Sequence, residues 1–404
     1  MLKPEHIHIA DYDYRLPEDR IARYPLPSRD QSSLLHYEHQ TLRHQAFSSL
    51  PDLLKPGDLL VFNETRVIQA RLLFQKESGS NIEIFCLEPV EPAEYQLAFR
   101  QTNACRWRCL VGNARKWKQD DLVKEVLSGP DKASLTARKV NREGYTYIID
   151  FSWDNNNLSF AEIIENSGLT PIPPYLKRDS VPEDRTRYQT VYSRYEGSVA
   201  APTAGLHFTG KVLKQLDEKG IHRANLTLHV GAGTFTPVKE ENAVQHLMHG
   251  ETVVVDRKLI RLLRDHPGRI ISVGTTGMRS IESLYWLGFA ASRSRLDPSR
   301  IEVSQWEAYA SESTLGKTES LDQLIAFMDH HNMAQLQFRT MLMIVPGYRF
   351  KMTDGLITNF HQPRSTLLLL VAAFIGKKWK DVYDYAMQND FRFLSYGDVS
   401  LLFP

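Results

Sequence analysis

Cysteine is scarce in this chain, with only Cys86, Cys105 and Cys109 among 404 residues. An odd and sparse set excludes a disulfide framework and is typical of a reducing compartment. Cys105 and Cys109 lie close together, but no further cysteine is near enough in the sequence to complete a known zinc-binding pattern. The cysteines therefore predict neither disulfide bonds nor a structural zinc site.

An excess of charge of one sign and a long apolar run are also lacking. The chain has 49 Lys and Arg against 48 Asp and Glu, which excludes a globally basic nucleic-acid coat but allows a local basic face. The longest apolar run, Leu367 to Ile375, falls far short of the ~20 residues that span a bilayer. Met1 to Ala10 contains no apolar segment of the kind found in signal peptides. We therefore expect a soluble, cytoplasmic protein. We also expect a monomer.

The composition is that of an ordinary globular protein, with 42% hydrophobic and 24% charged residues. This balance excludes wholesale disorder. The length predicts two or three domains, at roughly 150 residues each. The chain has 14 histidines, a side chain suited to acid–base catalysis and to metal binding.

Short strands separated by turn residues dominate from about residue 65 to 155. Asn81 to Ile84 alternates polar and apolar residues, and Tyr145 to Ile149 is rich in β-forming residues. Several strands at this spacing predict a small sandwich or barrel. Before this region, Leu16 to Tyr24 is predicted as a short helix and Gly57 to Phe62 as a turn followed by a buried strand.

Strands and helices alternate after residue 158, which predicts a layered α/β domain. Predicted strands are Leu226 to Val230, Arg269 to Val273 and Leu356 to Phe360. The second leads into a helix ending near Leu287, and the third into the apolar helix Thr366 to Ile375. A polar stretch from about 290 to 330 is predicted to be an elaboration outside the core.

Four loops of this α/β region carry side chains suited to chemistry. Ala201 to Phe208 is a run of small residues ending in His207, and His229 precedes a Gly-x-Gly that suits an anion or a nucleoside. Free N–H groups at the helix start near Gly274 to Ser280 favour an anion. Thr358 to Thr366 crowds polar side chains at a strand end, where ligands bind in α/β sheets. Tight turns, helix caps and core histidines are the structural alternatives.

Two further patterns each allow more than one interpretation. His229, His246, His249 and Glu251 offer a catalytic zinc site, although the spacing is not that of an established zinc motif. Between Tyr95 and Gln119 there are six basic residues, no acidic ones, and the interleaved Trp107 and Trp117. This span is either an RNA-binding face or a solvated strand face whose tryptophans lie in the core of the small barrel.

Taken together, the motifs resemble those of the S-adenosylmethionine:tRNA ribosyltransferase-isomerase family of queuosine biosynthesis. The resemblance runs in order almost from end to end. Its most specific stretches are Ala201 to Phe208 and Asn359 to Leu367, supported by Asp13 to Pro17, Asp58 to Leu72, Pro173 to Arg178, Arg187 to Tyr192, Leu228 to Thr234, Gly274 to Ser283 and Ser395 to Asp398.

The resemblance implies a three-layer α/β/α main domain with an inserted small β-barrel domain. We expect residues 1–64 and 156–404 to form the catalytic domain and 65–155 the barrel. The implied reaction moves the ribosyl group of S-adenosylmethionine to the aminomethyl group of 7-aminomethyl-7-deazaguanine in a tRNA anticodon, releasing adenine and methionine and leaving epoxyqueuosine. S-adenosylmethionine is then a substrate, and neither a metal nor a prosthetic group is implied.

The candidate site residues follow from these motifs and the implied reaction. Two of His207, His229 and His361 are expected to transfer protons, and Asp398 to orient one of them or to hold a ribose hydroxyl. Arg279 or Arg364 is expected to bind the methionine carboxylate, and Phe208, Phe235 or Phe360 to stack on a base. The remaining predicted substrate contacts are Thr203, Gly205, Gly231, Gly233, Thr234, Thr275, Thr276, Asn359 and Ser365. The predicted tRNA contacts are Arg66, Arg106, Arg108, Arg115, Lys116 and Arg187.

Two other functions remain open from the sequence. One is a metal-dependent hydrolase built on His229, His246 and His249. The other is an RNA-binding paralogue, either catalytically silent or of altered specificity, that uses the basic barrel.

Overall fold

A computed structural model of the chain describes residues 4–76, 78–118, 120–231, 238, 240–310 and 313–404. Residues group into two compact units. The first comprises Met1–Glu64, Thr190–Ser193 and Pro202–Pro404, and the second Thr65–Gln189 and Arg194–Ala201. Within the described residues, no helix is both long and apolar enough to cross a bilayer.

The strands are numbered in chain order. They are β1 (Ser33–Glu38), β2 (Thr41–Ala46), β3 (Leu59–Asn63), β4 (Thr65–Val67), β5 (Arg71–Gln75), β6 (Asn81–Glu91), β7 (Ala104–Gly112), β8 (Leu122–Ser128), β9 (Asp131–Glu143), β10 (Thr146–Trp153), β11 (Gly168–Leu169), β12 (Tyr195–Ser198), β13 (His222–His229), β14 (Glu251–Asp256), β15 (Ile270–Val273), β16 (Glu302–Val303), β17 (Gln335–Thr340), β18 (Gly355–Asn359) and β19 (Val399–Leu402).

The α-helices are numbered in the same way. They are α1 (Leu50–Leu53), α2 (Tyr95–Phe99), α3 (Phe160–Ser167), α4 (Asp184–Arg187), α5 (Gly210–Glu218), α6 (Arg257–Asp265), α7 (Thr275–Ser292), α8 (Glu307–Ala310), α9 (Lys317–His330), α10 (Thr366–Ile375) and α11 (Trp379–Gln388). Short 3-10 helices include Glu18–Arg20 and Thr203–His207.

The first unit is built on a mixed sheet in the order β16-β17-β14-β13-β3-β15-β18-β19-β1-β2. Its centre, β13-β3-β15-β18, is parallel, whereas β19 and β14 run antiparallel to their central neighbours. β3, β15 and β18 are buried along their whole length, as expected of central parallel strands covered on both faces.

Two helical layers cover this sheet. On one face, the 3-10 helix Thr203–His207 and α5 bury Ala204, Phe208 and Val212 against sheet residues that include Phe62 and Ile357. On the other face, α7 packs along β15, β3 and β18, with α9 and α10 against α7, and α11 against α10. The predicted three-layer α/β/α architecture is confirmed.

The second unit contains an antiparallel sheet in the order β11-β5-β6-β7-β10-β9-β8, curled into a half-barrel. The predicted small β-barrel insertion is therefore confirmed as part of the fold class, with its sheet forming a half-barrel. An aromatic cluster fills its interior, with Trp107, Phe151 and Trp153 packed around Phe160 of α3. A capping box between Ser159 and Glu162 fixes the start of α3.

Two local predictions are wrong. The expected helix Leu16 to Tyr24 is only a 3-10 turn at Glu18–Arg20, because Ile21 leaves the turn to form a β-bridge with Phe393. The polar stretch after residue 290 is not wholly outside the core. α9 buries Leu321, Leu324 and Met328 at helical spacing, and it packs against α7.

Candidate active site

Polar side chains gather at one edge of the large sheet, as the strand-end motifs predict. β18 ends at Asn359, opposite Val399, which also pairs with Leu34 of β1. Asp398 and Ser33 therefore lie beside the end of β18. Farther along the same edge, His229 ends β13 opposite Thr252 of β14. Segments far apart in the sequence thus meet where ligands bind in α/β sheets.

His207 is held at this edge by two side chains. Its Nδ1 lies 2.7 Å from Ser32 Oγ, and its Nε2 lies 3.1 Å from Asn359 Nδ2. The Asn359 amide also donates to the Asp398 carbonyl at 3.3 Å, which fixes the amide orientation. Nε2 is therefore the acceptor and Nδ1–H the donor to Ser32. Burial, with Arg392 nearby, lowers the His207 pKa to about 3, so the ring is neutral at physiological pH.

Asp398 organises the loop that precedes β19. Its carboxylate accepts hydrogen bonds from the Ser33 N–H at 2.9 Å and the Arg392 N–H at 2.7 Å, and the Arg392 guanidinium lies 3.2 Å away. Its link to His207 runs through the backbone carbonyl and Asn359. Asp398 therefore fixes the loop at the edge of the site, and its connection to the His207 imidazole is indirect.

His361 lies on the other face of the sheet. Its Nε2 is 2.8 Å from Thr358 Oγ1, and its backbone N–H donates to the Tyr383 hydroxyl at 3.0 Å. Successive strand residues point to opposite faces, and Asn359 faces His207. His207 and His361 are therefore separated by β18. Burial lowers the His361 pKa to about 3.

His229 sits at the end of a strand whose position is fixed from β3. The Asn63 amide donates to the Leu228 carbonyl and its oxygen accepts from the Leu228 N–H, both at 3.1 Å. These two hydrogen bonds join the last residues of β13 to the end of β3. His229 itself is buried.

Arg279 forms a buried ion pair one turn into α7. The Arg279 guanidinium contacts the Glu251 carboxylate at the start of β14, and both side chains are buried. Burial lowers the Arg279 pKa to about 10, which leaves it charged at neutral pH. Thr275 and Thr276 lie in the first turn of the same helix, four and three positions before Arg279, so each is a neighbour of Arg279 on the helix surface.

Several predicted substrate contacts have packing roles. Phe208 is buried against Phe47 and Phe62, and Phe360 against Tyr383 and Phe393, so neither ring is open for stacking on a base. Ser365 caps α10 by accepting from the Leu368 N–H at 3.2 Å.

Gly205 is close to the segment Thr190–Ser193 of the same unit. A Cβ on Gly205 would lie 2.0 Å from the Tyr192 hydroxyl, so the absent side chain makes room for that tyrosine. Thr203 is partly exposed in the same 3-10 helix, and Arg364 is exposed, with a φ of 55°. Gly231 follows β13, whereas Gly233, Thr234 and Phe235 lie outside the described residues.

The basic span of the second unit is partly neutralised in three dimensions. Arg106 pairs with Asp150 and Glu91, and Arg108 with Glu88 and Glu143, which lie on three other strands of the same sheet. Trp107 and Trp117 are buried, so they cannot stack on exposed bases. Arg115 and Lys116 are exposed in a short 3-10 helix. Of the other predicted tRNA contacts, Arg66 is 3.9 Å from Glu165, and Arg187 ends α4.

Two of the residues considered for zinc have other partners. His246 Nδ1 lies 3.0 Å from Glu240, and Glu251 is engaged by Arg279. Residues 246–250 are not helical, so His246 and His249 do not share a helix face. In the part of the chain that the structure describes, no three His, Cys, Asp or Glu residues form a group that could hold a metal ion.

Comparison with known proteins accounts for the motifs. A family model described as "Queuosine biosynthesis protein" matches residues 9–402. The S-adenosylmethionine:tRNA ribosyltransferase-isomerase of Trichlorobacter lovleyi is 38% identical over 98% of this chain and 99% of its own length. That of Thermotoga petrophila is 37% identical over the same shares. The chain belongs to the queuosine biosynthesis family. The resemblance stated from the motifs is thereby confirmed.

Among solved structures, the chain is similar to the S-adenosylmethionine tRNA ribosyltransferase of Thermotoga maritima. That crystal structure is 28% identical, with a TM-score of 0.45, over 97% of this chain and 99% of the other.

Several site residues of this family member were not predicted as such from its sequence. Ser32, Asn63 and Thr358 all contact a predicted residue or its neighbour at the sheet edge. Glu251, considered only as a zinc ligand, instead pairs with Arg279. Asn63 and Thr358 carried a usable signal, since each is a polar residue at the end of an apolar strand. Ser32 did not, because its role depends on a contact 175 positions away in the sequence.

Proposed function

We propose that this protein transfers and isomerises the ribosyl group of S-adenosylmethionine onto the aminomethyl group of 7-aminomethyl-7-deazaguanine in a tRNA anticodon. Adenine and methionine leave, and epoxyqueuosine remains in the tRNA. The observation that carries this proposal is the meeting of three family motifs, through His207, Asn359 and Asp398, at one edge of the large sheet. Full-length relatives that bear the name of this activity support it.

The reaction needs a base to remove the acidified proton beside the sulfonium and an acid to assist the departure of adenine. A group that exchanges protons efficiently has a pKa near the working pH. Burial lowers the pKa of His207 and of His361 to about 3, far from that range. We therefore assign both to positioning: His207 orients Asn359, and His361 orients Thr358. Of the three histidines, His229 is left as the proton-transfer group.

The substrate partners follow from the same reaction. S-adenosylmethionine acts as ribosyl donor, and the enzyme works as a cytoplasmic monomer without a metal or prosthetic group. Residues 1–64 and 156–404 carry the chemistry, and residues 65–155 contribute to tRNA binding. Arg115 and Lys116 are the strongest candidates for phosphate contacts because they are exposed.

The decisive experiment is incubation of the purified protein with S-adenosylmethionine and tRNA bearing 7-aminomethyl-7-deazaguanine at the wobble position. We expect equimolar release of adenine and methionine and a matching gain of epoxyqueuosine in the tRNA. The matched control is the same tRNA with guanine at that position, which lacks the nucleophilic amine. Binding of the modified tRNA without adenine release would favour the RNA-binding paralogue instead. Loss of activity with EDTA and recovery with zinc would favour metal chemistry.

A further inference from the structure

The hairpin that joins β9 to β10 carries an exposed aromatic side chain at its tip. Tyr145 is 65% exposed, whereas Trp107 and Trp117 of the same unit are buried. The preceding residue, Gly144, has a φ of 63°, which suits the first position of a two-residue hairpin turn. Glycine therefore supplies the geometry of the turn, which gives no reason for a large ring beside it.

Basic side chains connect this hairpin with the turn between β7 and β8. The Lys139 ammonium donates to the Trp117 carbonyl at 2.6 Å and lies 5.2 Å from the centre of the Trp117 ring. It also lies 5.9 Å from the centre of the Tyr147 ring, and the Arg142 guanidinium lies 5.8 Å from the same ring. The Arg142 Nε donates to the Gly144 carbonyl at 2.8 Å. The hairpin and the turn are thus joined into one surface.

This surface, the basic tip, is rich in positive charge. It consists of Arg115, Lys116, Lys118, Lys139, Arg142 and Tyr145. Four of the five basic side chains are exposed, and that of Lys139 is partly exposed. Glu143 lies within the hairpin but pairs with Arg108. Asp120, just beyond the turn, pairs with Lys76. The basic tip therefore presents local positive charge in a chain whose formal net charge is only +1.

We infer that Tyr145 stacks on an unpaired base of the tRNA while the cations of the basic tip contact the phosphates beside that base. Stacking needs a ring with an open face and a base that is free of its helix, and the neighbouring phosphates need cations. Trp107 and Trp117, the candidates for such stacking from the sequence, are buried. The inference rests on the proposed function, since it takes tRNA as the partner, and it adds a base contact that the motifs do not predict.

The first test measures binding of tRNA with guanine at the wobble position, so that no turnover occurs. We expect Tyr145→Ala to raise the Kd about 5- to 100-fold, which is typical of one lost base–aromatic stack, and Tyr145→Phe to stay within about threefold of the wild type. Tyr145→Leu keeps apolar area but loses the planar ring, and it should bind like Tyr145→Ala. All three should keep the slope of log Kd against log salt, because no charge is removed.

Two further variants separate stacking from charge and from exposed apolar area. Arg142→Gln should weaken binding and reduce the salt slope by about 1. Leu127→Ala is the matched control and should leave the Kd unchanged. Leu127 is 66% exposed in the same unit, but it lies on β8 opposite Lys132, at the end of β9 farthest from the hairpin.

A series of tRNAs, each with one abasic position in a loop, identifies the stacked base. At one position, loss of the base should weaken wild-type binding by the same factor as Tyr145→Ala. Combining that tRNA with Tyr145→Ala should cause no further loss, because both changes remove the same stack.

Wild-type affinity in Tyr145→Ala or Tyr145→Leu, or an equal loss in Leu127→Ala, would overturn the inference. Full additivity of Tyr145→Ala with every abasic position would also overturn it. Binding to anionic phospholipid vesicles that is lost in Tyr145→Ala, with tRNA binding kept, would overturn it in favour of a membrane-contacting tip.

The proposed function fails separately from this inference. Binding of tRNA that depends on Tyr145, without adenine release from modified tRNA, contradicts only the proposed function. Adenine release by a protein whose tRNA binding does not depend on Tyr145 contradicts only the inference.

Discussion

At the scale of single residues, neighbouring positions of β18 serve opposite layers of the sheet. The Thr358 hydroxyl meets His361 on one face, and the Asn359 amide meets His207 on the other. Both imidazoles are buried and neutral, so each acts as a fixed hydrogen-bonding group. The end of β18 is thus held from both sides, which fixes the direction of the Asn359 side chain.

This burial predicts a characteristic loss of stability in weak acid. The pKa of His207 and of His361 is about 3 in the folded protein and ordinarily about 6.5. Between these values the unfolded chain binds more protons than the folded one. The contribution of these histidines to the free energy of unfolding is therefore fully present above pH 6.5. It falls as the pH drops, by about 2 kcal/mol for each histidine down to pH 5.

Urea unfolding between pH 7.5 and 5 measures this loss. His207→Gln and His361→Gln should each remove about 2 kcal/mol of the pH dependence, whatever their stability at neutral pH. The exposed His330 provides the control, and His330→Gln should leave the slope unchanged. A wild-type slope retained in both buried variants would mean that neither histidine is buried in its neutral form.

The sequence predicts that these residues lie at the sheet edge, but it does not predict which side chains surround them. A polar residue after an apolar strand identifies an edge position, and this was enough for Asn359 and His229. Whether a side chain is open to a ligand depends on partners far away in the chain. Phe208 is closed off by Phe47 and Phe62, and the distance in sequence to either partner leaves no local signal.

At the scale of elements, the segment between α7 and β17 supports the approach to β14. The Gln305 amide donates to the His246 carbonyl at 2.6 Å, and its oxygen accepts from the Met248 N–H at 3.0 Å. Gln305 also lies 3.4 Å from the Met343 sulfur. The region expected to be an elaboration therefore fixes the non-helical segment that contains Met248 and leads into β14 at Glu251.

Gln305→Ala should loosen this segment. We expect the free energy of unfolding to fall by about 2 kcal/mol, because the two lost hydrogen bonds are worth about 1 kcal/mol each. Urea unfolding at neutral pH measures the loss. Ser304→Ala is the control, since its partner Glu307 lies within the same segment, and it should lower the free energy of unfolding by less than half as much. Equal effects of the two variants would contradict a role for Gln305 in holding the approach to β14.

Element prediction succeeded where local pattern decided the outcome. The helix Thr366 to Ile375 was predicted with the bounds observed, since Ser365 is a strong N-cap before an unbroken apolar run. The helix predicted for Leu16 to Tyr24 does not form, because a β-bridge between Ile21 and Phe393 overrides the weak helical signal. α9 was missed as core because its four-residue apolar stripe is diluted by charged neighbours.

At the scale of the whole molecule, the numbers of acidic and basic residues are nearly equal. Ion pairing therefore decides which basic side chains are available to RNA. Arg106 and Arg108 are each engaged by two carboxylates, and binding a phosphate would require those pairs to break. Arg115 and Lys116 carry exposed charge on the same unit. A linear count of basic residues between Tyr95 and Gln119 does not distinguish the two groups.

This distinction is testable through salt dependence. Arg115→Ala with Lys116→Ala should weaken tRNA binding and reduce the slope of log Kd against log salt by about 1 to 2, since each phosphate contact releases counterions. Arg106→Ala with Arg108→Ala removes the same charge from ion pairs and should change the slope by less than half as much. Filter binding from 50 to 300 mM salt compares them. A larger effect of the Arg106 and Arg108 pair would contradict this assignment.

The position of β19 has a consequence for synthesis of the protein. β19 lies between β18 and β1, so the hairpin β1-β2 reaches its place in the sheet only through Val399–Leu402. At ordinary translation rates the ribosome needs about 20–70 s to travel from β1 to β19. During that interval one edge of β1 has no strand to pair with, although its middle residues are apolar enough to be buried in the final fold. The nascent chain thus carries a hairpin with one open, apolar edge for most of its synthesis, and such an edge is prone to pair with other chains.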